Sequence, residues 1–124
     1  MAKILVVDDD EEIVRVVQIT LEAKGFDVIT ASNGIEALGH MTGELPDALV
    51  LDVDMPRMDG LTVLEHLKAN PCTTHIPVIM LTAKDQVSDI SKGWNTGADF
   101  YWTKPFSAIQ LAVLIKRILD DKVV

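Results

Sequence analysis

The chain has 124 residues with 19 acidic against 11 basic side chains, a formal net charge of −8. That length suits one domain, residues 1–124, and the negative charge opposes direct binding to nucleic acid or to an anionic membrane surface. A single cysteine, Cys72, excludes an intramolecular disulfide and a multi-cysteine metal site and suits a reducing cytoplasm, and no apolar run is long enough to span a bilayer.

The first apolar run of strand length, 3–7, ends on the acids Asp8, Asp9 and Asp10. A helix is expected next, with Asp10 or Glu11 at its N-terminus and Gly25 after its end. Its apolar positions, Ile13, Val14, Val16, Val17, Ile19 and Leu21, are more than one narrow stripe requires. A second, less apolar strand follows at 27–31, and Asn33-Gly34 opens the second helix. Pro46 precedes the third strand, 48–51, which runs straight into Asp52. Asp59-Gly60 reads as turn chemistry before the third helix, which Pro71 and Pro77 close. The fourth strand, 78–81, runs into Thr82, and the fifth, 100–102, is followed by Lys104 and Pro105. The last helix has the core stripe Leu111, Leu114, Ile115, Ile118 and Leu119, leaving Ile109 and Val113 on another side. His40, His66 and His75 are scattered and read as surface residues.

Five strand–helix units of this kind predict an α/β doubly wound parallel sheet. The first, third and fourth strands are apolar enough to be buried on both faces, whereas the second and fifth fit edge positions. In such sheets the site lies beyond the carboxyl ends of the strands. Asp8, Asp9, Asp52, Thr82 and Lys104 should therefore share one small cavity.

Three carboxylates in one cavity repel one another, and a divalent cation offsets that repulsion. Oxygen donors with retained waters suit magnesium or manganese better than zinc. Asp52 is the candidate nucleophile because it projects from a central strand, whereas Asp8 and Asp9 share a loop suited to the metal. A carboxylate that attacks a phosphoryl group forms an acyl phosphate. Lys104 and the Thr82 hydroxyl can satisfy the phosphoryl oxygens. Pro105 restricts the lysine backbone and permits a cis peptide that would aim the side chain inward. Each residue also has a plainer reading: Asp10 as a helix cap, Thr82 as a strand-end hydroxyl, Lys104 as a solvated surface lysine.

Taken in order, Val6-Val7-Asp8-Asp9, Leu51-Asp52-Val53-Asp54-Met55-Pro56, Met58-Asp59-Gly60, Leu81-Thr82-Ala83, Gly97-Ala98-Asp99 and Thr103-Lys104-Pro105-Phe106 resemble the receiver domain of bacterial two-component response regulators, chemotaxis regulators among them. The resemblance covers essentially the whole chain and implies a five-stranded (βα)5 fold of flavodoxin-like strand order 2-1-3-4-5, with no effector domain in this chain. It implies that Asp52 accepts phosphate from a phosphohistidine on a sensor histidine kinase or a histidine phosphotransfer protein. Magnesium would be held by Asp9, Asp52 and the backbone carbonyl of Asp54, with Asp8 acting largely through water. Thr82 and Tyr101 would form the switch, repacking a face made by helix four, strand five and helix five where a downstream partner or a second copy binds. Asp54 and Lys84 flank the path of attacking water and would tune the lifetime of the phosphoryl group. Trp94 and Trp102 are less typical of the family, and Trp102 should face away from Tyr101.

On this reading the protein is a signalling module with at most slow self-phosphorylation and autodephosphorylation. Ile109, Val113 and Lys116 become candidates for partner contact, and the surface near Val16 for docking of a kinase helix. Asp52-x-Asp54 also resembles the nucleophile motif of haloacid-dehalogenase phosphohydrolases, but there the nucleophile strand comes first and the acid pair last. A flavodoxin-like flavin carrier would offer hydroxyls and amides after its first strand, not three acids.

Overall fold

Alternation along the apolar runs is resolved into five parallel strands: β1 (Lys3–Val7), β2 (Asp27–Ala31), β3 (Ala48–Asp52), β4 (Val78–Ala83) and β5 (Phe100–Lys104). The computed structural model describes residues 2–53, 55, 58–83, 99–104 and 106–121, with the backbone alone at 83, 104 and 121. The strands form one sheet in the order β2-β1-β3-β4-β5, so the expected doubly wound topology is the observed one. The helices are α1 (Glu11–Ala23), α2 (Gly34–Gly39), α3 (Gly60–Ala69) and a C-terminal helix (Ala108–Asp121), with a short 3-10 turn at His40–Thr42. The helix expected between β4 and β5 falls on residues 84–98, which lie outside the described residues, as do Asp54, Pro56, Trp94 and Pro105.

Period-two alternation divides the strand side chains between two cores. Leu5, Val7, Leu49, Leu51, Val78 and Met80 face α2 and α3, where Ala37, Val63, Leu64 and Leu67 cover them. Ile4, Val6, Ala48, Val50, Ile79 and Leu81 face α1 and the C-terminal helix, against Val17, Leu21, Leu111 and Ile115. All five residues of β3 are buried, as a central strand covered on both faces requires. Each large side chain in these layers contributes about 1.5–3 kcal/mol through removal of apolar surface from water. β2 and β5 are the edges, and Phe100 is 38% exposed.

The apolar runs underestimate β3, β4 and β5. Asp52, Thr82 and Lys104 lie inside the strands, not after them, because the ladder is made by backbone groups whatever the side chain. Asp52 pairs with Leu81, Thr82 with Thr103 and Ala83 with Lys104. Asp10 does cap α1: its Oδ1 accepts from the amides of Glu12 at 3.0 Å and Ile13 at 3.4 Å. Gly25, with φ of 93°, supplies the left-handed residue that ends this helix, and Phe26 N–H returns to the Leu21 carbonyl at 3.1 Å.

Candidate functional site

The register of the central strands brings the acids together. Val7 of β1 pairs with Leu51 of β3, so Asp8 and Asp52 are the next residues of adjacent strands. Each continues a row directed at the same core, Ile4–Val6–Asp8 and Val50–Asp52, and the row turns from apolar to ionisable where the sheet ends. Asp8 is 1% exposed and Asp52 is 3% exposed, whereas Asp9 reaches solvent. One carboxylate oxygen from each of Asp8, Asp9 and Asp52 can be chosen so that all three lie within 4.8 Å of one another. At that separation two carboxylates repel by about 3 kcal/mol at an effective dielectric constant of about 20. Three oxygen donors of this kind fit a hard divalent cation such as magnesium.

The loops hold this cluster in place through backbone contacts. Asp8 Oδ1 accepts from Asp10 N–H at 3.0 Å, and Asp8 N–H donates to the Ala31 carbonyl at 3.2 Å. Val53 N–H donates to the Leu81 carbonyl at 2.9 Å, which ties the strand end carrying Asp52 to β4. Thr82, fully buried, stands one residue beyond the Leu81 that pairs with Asp52. Lys104 closes β5 beside Ala83, and its side chain lies outside the described residues. The structure therefore gathers Asp8, Asp9 and Asp52, puts Thr82 on the adjoining strand end, and says nothing of Asp54 or Lys84. Beside Asp8 a cleft of about 330 Å³ is lined by Glu11, Arg15, Ser32 and Glu36 among others.

Tyr101 packs with the α2/α3 core and Trp102 with the opposite core, as alternation predicts. Burial pushes the Tyr101 hydroxyl above its ordinary pKa of 10.0 because the phenolate would lose its hydration. On the outer surface Val16, Ile19, Ile109 and Val113 are all more than half exposed. A groove of about 220 Å³ runs between α1 and the start of the C-terminal helix, lined by Glu12, Ile13, Val16, Val17, Phe106 and Ala108.

Two features escape sequence reasoning. Gly60 reads as a turn residue, yet it is the first residue of α3 and lies directly against the Asp52 backbone. Asp99 stands at the bend into β5, as its sequence context suggests, and in addition its Oδ2 accepts from Val78 N–H at 2.8 Å and pairs with Lys68 at 3.8 Å. No spacing signal links residues 21 apart across a sheet, or shows that a glycine is small because another backbone is close.

Comparison with known proteins agrees with this architecture. Residues 4–116 match the model of the response regulator receiver domain. The chain is 49% identical over 117 residues to the alkaline phosphatase synthesis transcriptional regulatory protein PhoP of Bacillus subtilis, covering 94% of this chain and 48% of that protein. It is 42% identical over 123 residues to the response regulator PleD of Caulobacter vibrioides, covering 99% of this chain and 27% of that protein. Among solved structures, the signal receiver domain of a signal transduction histidine kinase from Syntrophus aciditrophicus superposes with a TM-score of 0.91 at 34% identity, covering 98% of this chain and 92% of that one. The chain thus spans about half or a quarter of the length of these curated relatives. These matches do not favour the phosphohydrolase alternative.

Proposed function

The chain belongs to the response regulator receiver domain family, and on that premise we propose that it is a phosphorylation-activated switch with Asp52 as the phosphoacceptor. The observation that carries the reading is the convergence of the Asp8, Asp9 and Asp52 carboxylates at the carboxyl end of the central strands. An Asp52 carboxylate oxygen attacks the phosphorus of a phosphohistidine, the O–P bond forms as the N–P bond breaks, and the imidazole leaves with the N–P electron pair and takes up a proton. Asp9, Asp52 and the Asp54 carbonyl would hold magnesium or manganese, with Asp8 behind a water. Bound there, the ion supplies positive charge to the phosphoryl oxygens and offsets the repulsion between the acids. Lys104 neutralises a further oxygen, and the Thr82 hydroxyl donates to another. Asp54 and Lys84 set how long the phosphoryl group lasts.

The output follows from differential contact. A phosphoryl group favours the conformation in which Thr82 and Tyr101 move toward the site, and only by the extra interactions it gains there. The affected face is the one built by the fourth helix of the family pattern, β5 and the C-terminal helix, with Ile109, Val113 and Lys116 offered to a downstream protein or a second copy. The apolar groove beside Val16 suits a helix of the sensor kinase or histidine phosphotransfer protein. The domain acts as a single unit inside the cell, contacts neither nucleic acid nor membrane by itself, and has only slow self-phosphorylation and dephosphorylation. Among the described residues no helix is long and apolar enough to cross a membrane.

Incubation with acetyl phosphate and magnesium, read by intact mass, tests the assignment. Addition of one phosphoryl group to the parent and none to Asp52→Asn is expected; equal addition to both would overturn the role of Asp52.

A further inference from the structure

Gly34 and Gly60 are the first residues of α2 and α3, both buried, and neither has the positive φ that would explain a glycine by conformation. Space explains them instead. A Cβ on Gly60 would overlap the Asp52 carbonyl oxygen and stand 2.9 Å from both the Asp52 carbonyl carbon and the Val53 Cα. A Cβ on Gly34 would stand 2.6 Å from the Met58 carbonyl oxygen, 2.7 Å from Val63 Cγ2 and 2.8 Å from Met58 Cβ. Most of these neighbours are backbone atoms, which cannot step aside as a flexible side chain can. The two helices therefore close on the β3–α3 loop at both its ends, at the strand end that carries Asp52 and at Met58 just before the Asp59 cap. The Gly60 N–H, donated to the Val53 carbonyl at 2.9 Å, fixes the nearer closure, and Asp59 Oδ1, accepting from Thr62 N–H at 2.8 Å, fixes the start of α3.

We propose that Gly34 and Gly60 are positioning residues, whose lack of a side chain sets where Asp52 stands relative to Asp8 and Asp9. The proposal rests on the reading of that cluster as the metal and phosphoryl site. The atoms nearest a Cβ on Gly34 belong to Met58 and Val63, not to the three acids. Gly34 acts through Met58 and through Val63 of α3, so α2 becomes part of the apparatus that holds the cluster in register. A displacement approaching 1 Å at a reacting group costs on the order of 100-fold in rate, and the overlaps at Gly60 call for shifts of that order.

Gly34→Ala and Gly60→Ala variants of the 124-residue chain are compared with the parent by denaturant midpoint, by calorimetric titration with magnesium alone, and by the rate of acetyl phosphate uptake. Two kinds of control separate position from stability. Ile115→Val and Ile115→Ala lower stability from the C-terminal helix, across the sheet from α2 and α3, by about 1 kcal/mol and about 2–5 kcal/mol. Gly39→Ala adds a methyl to α2 where nothing lies within 4 Å. A folded population that stays near saturation keeps its native magnesium affinity whatever its margin of stability, so only a displaced site changes the titration. We expect about tenfold or greater loss of magnesium affinity and of uptake rate in Gly60→Ala, a smaller loss in Gly34→Ala, and parental affinity in the Ile115 and Gly39 variants. Parental affinity in both glycine variants overturns the proposal, as does equal loss in the Ile115 variants or failure of both glycine variants to fold in saturating magnesium. The magnesium titration judges the positioning role even if Asp52 is not the phosphoacceptor, which the Asp52→Asn mass comparison decides separately.

Discussion

Both ends of the sheet are rich in acids, and the two sets behave oppositely. At the amino end, Asp47 Oδ2 accepts from Lys3 N–H at 2.7 Å and Asp99 Oδ2 accepts from Val78 N–H at 2.8 Å. Lys3 pairs there with Glu44 at 3.2 Å, and Lys68 reaches Asp99 as well as the carbonyls of Thr74 at 3.0 Å and Ile76 at 3.3 Å. At the carboxyl end, Asp8, Asp9 and Asp52 crowd within 4.8 Å. The direction of the strands explains the contrast. Parallel strands begin with N–H groups that have no partner above them, so an acid at that end completes the backbone. They finish with carbonyl oxygens, so an acid there adds negative charge to negative partial charge and calls for a cation. One residue type caps strands at one end and gathers as a cluster of like charges at the other.

The largest expected effect comes from neutralising a carboxyl-end acid. Asp9→Asn should weaken magnesium binding about tenfold or more, since even groups behind metal ligands change affinity by about that factor. Without magnesium its denaturation midpoint should rise, because a repelling charge is gone; a fall would mean that acids at the two ends act alike. Asp99→Ala is the counterpart, expected to lose about 1–2 kcal/mol through the orphaned Val78 amide while leaving magnesium affinity unchanged. Urea unfolding and a magnesium titration on the same sample separate the two outcomes.

The smallest effect concerns pH. The folded-state pKa of Tyr101 is raised by burial, so its contribution to stability is fully present below pH 10, the unfolded value, and is lost as pH climbs through the folded one. Tyr101→Phe should remove that part of the alkaline loss, visible as a shallower fall of the midpoint above pH 10 and as an unchanged slope near neutrality. An identical alkaline slope in both proteins would place the loss elsewhere.

Much of this was legible from residues alone. Apolar runs reveal strands buried on both faces, and the acids at their ends reveal a shared cavity, because strand direction and the crossover rule leave little freedom in where those ends go. Asp10 as a cap and Trp102 on the face opposite Tyr101 follow from local periodicity. Steric exclusion leaves no such trace. Gly60 sits in a context that suits a turn glycine, and only the approach of the Asp52 backbone distinguishes it. The Lys68–Asp99 link is hidden for another reason: a charged pair on a helix and a distant strand start has the same composition as two solvated residues.

The alternation of β3 carries an arithmetic that reaches beyond this molecule. Every residue from Ala48 to Asp52 is buried, and from Ala48 to Leu51 successive residues belong to different cores, so the strand counts its sequence in twos. Gain or loss of one codon within it would exchange the two layers and turn Asp52 away from Asp8, whereas a change of two would keep the parity. Descendants of such a chain are free to lengthen their loops, but inside this strand the genetic text can be edited only in even steps.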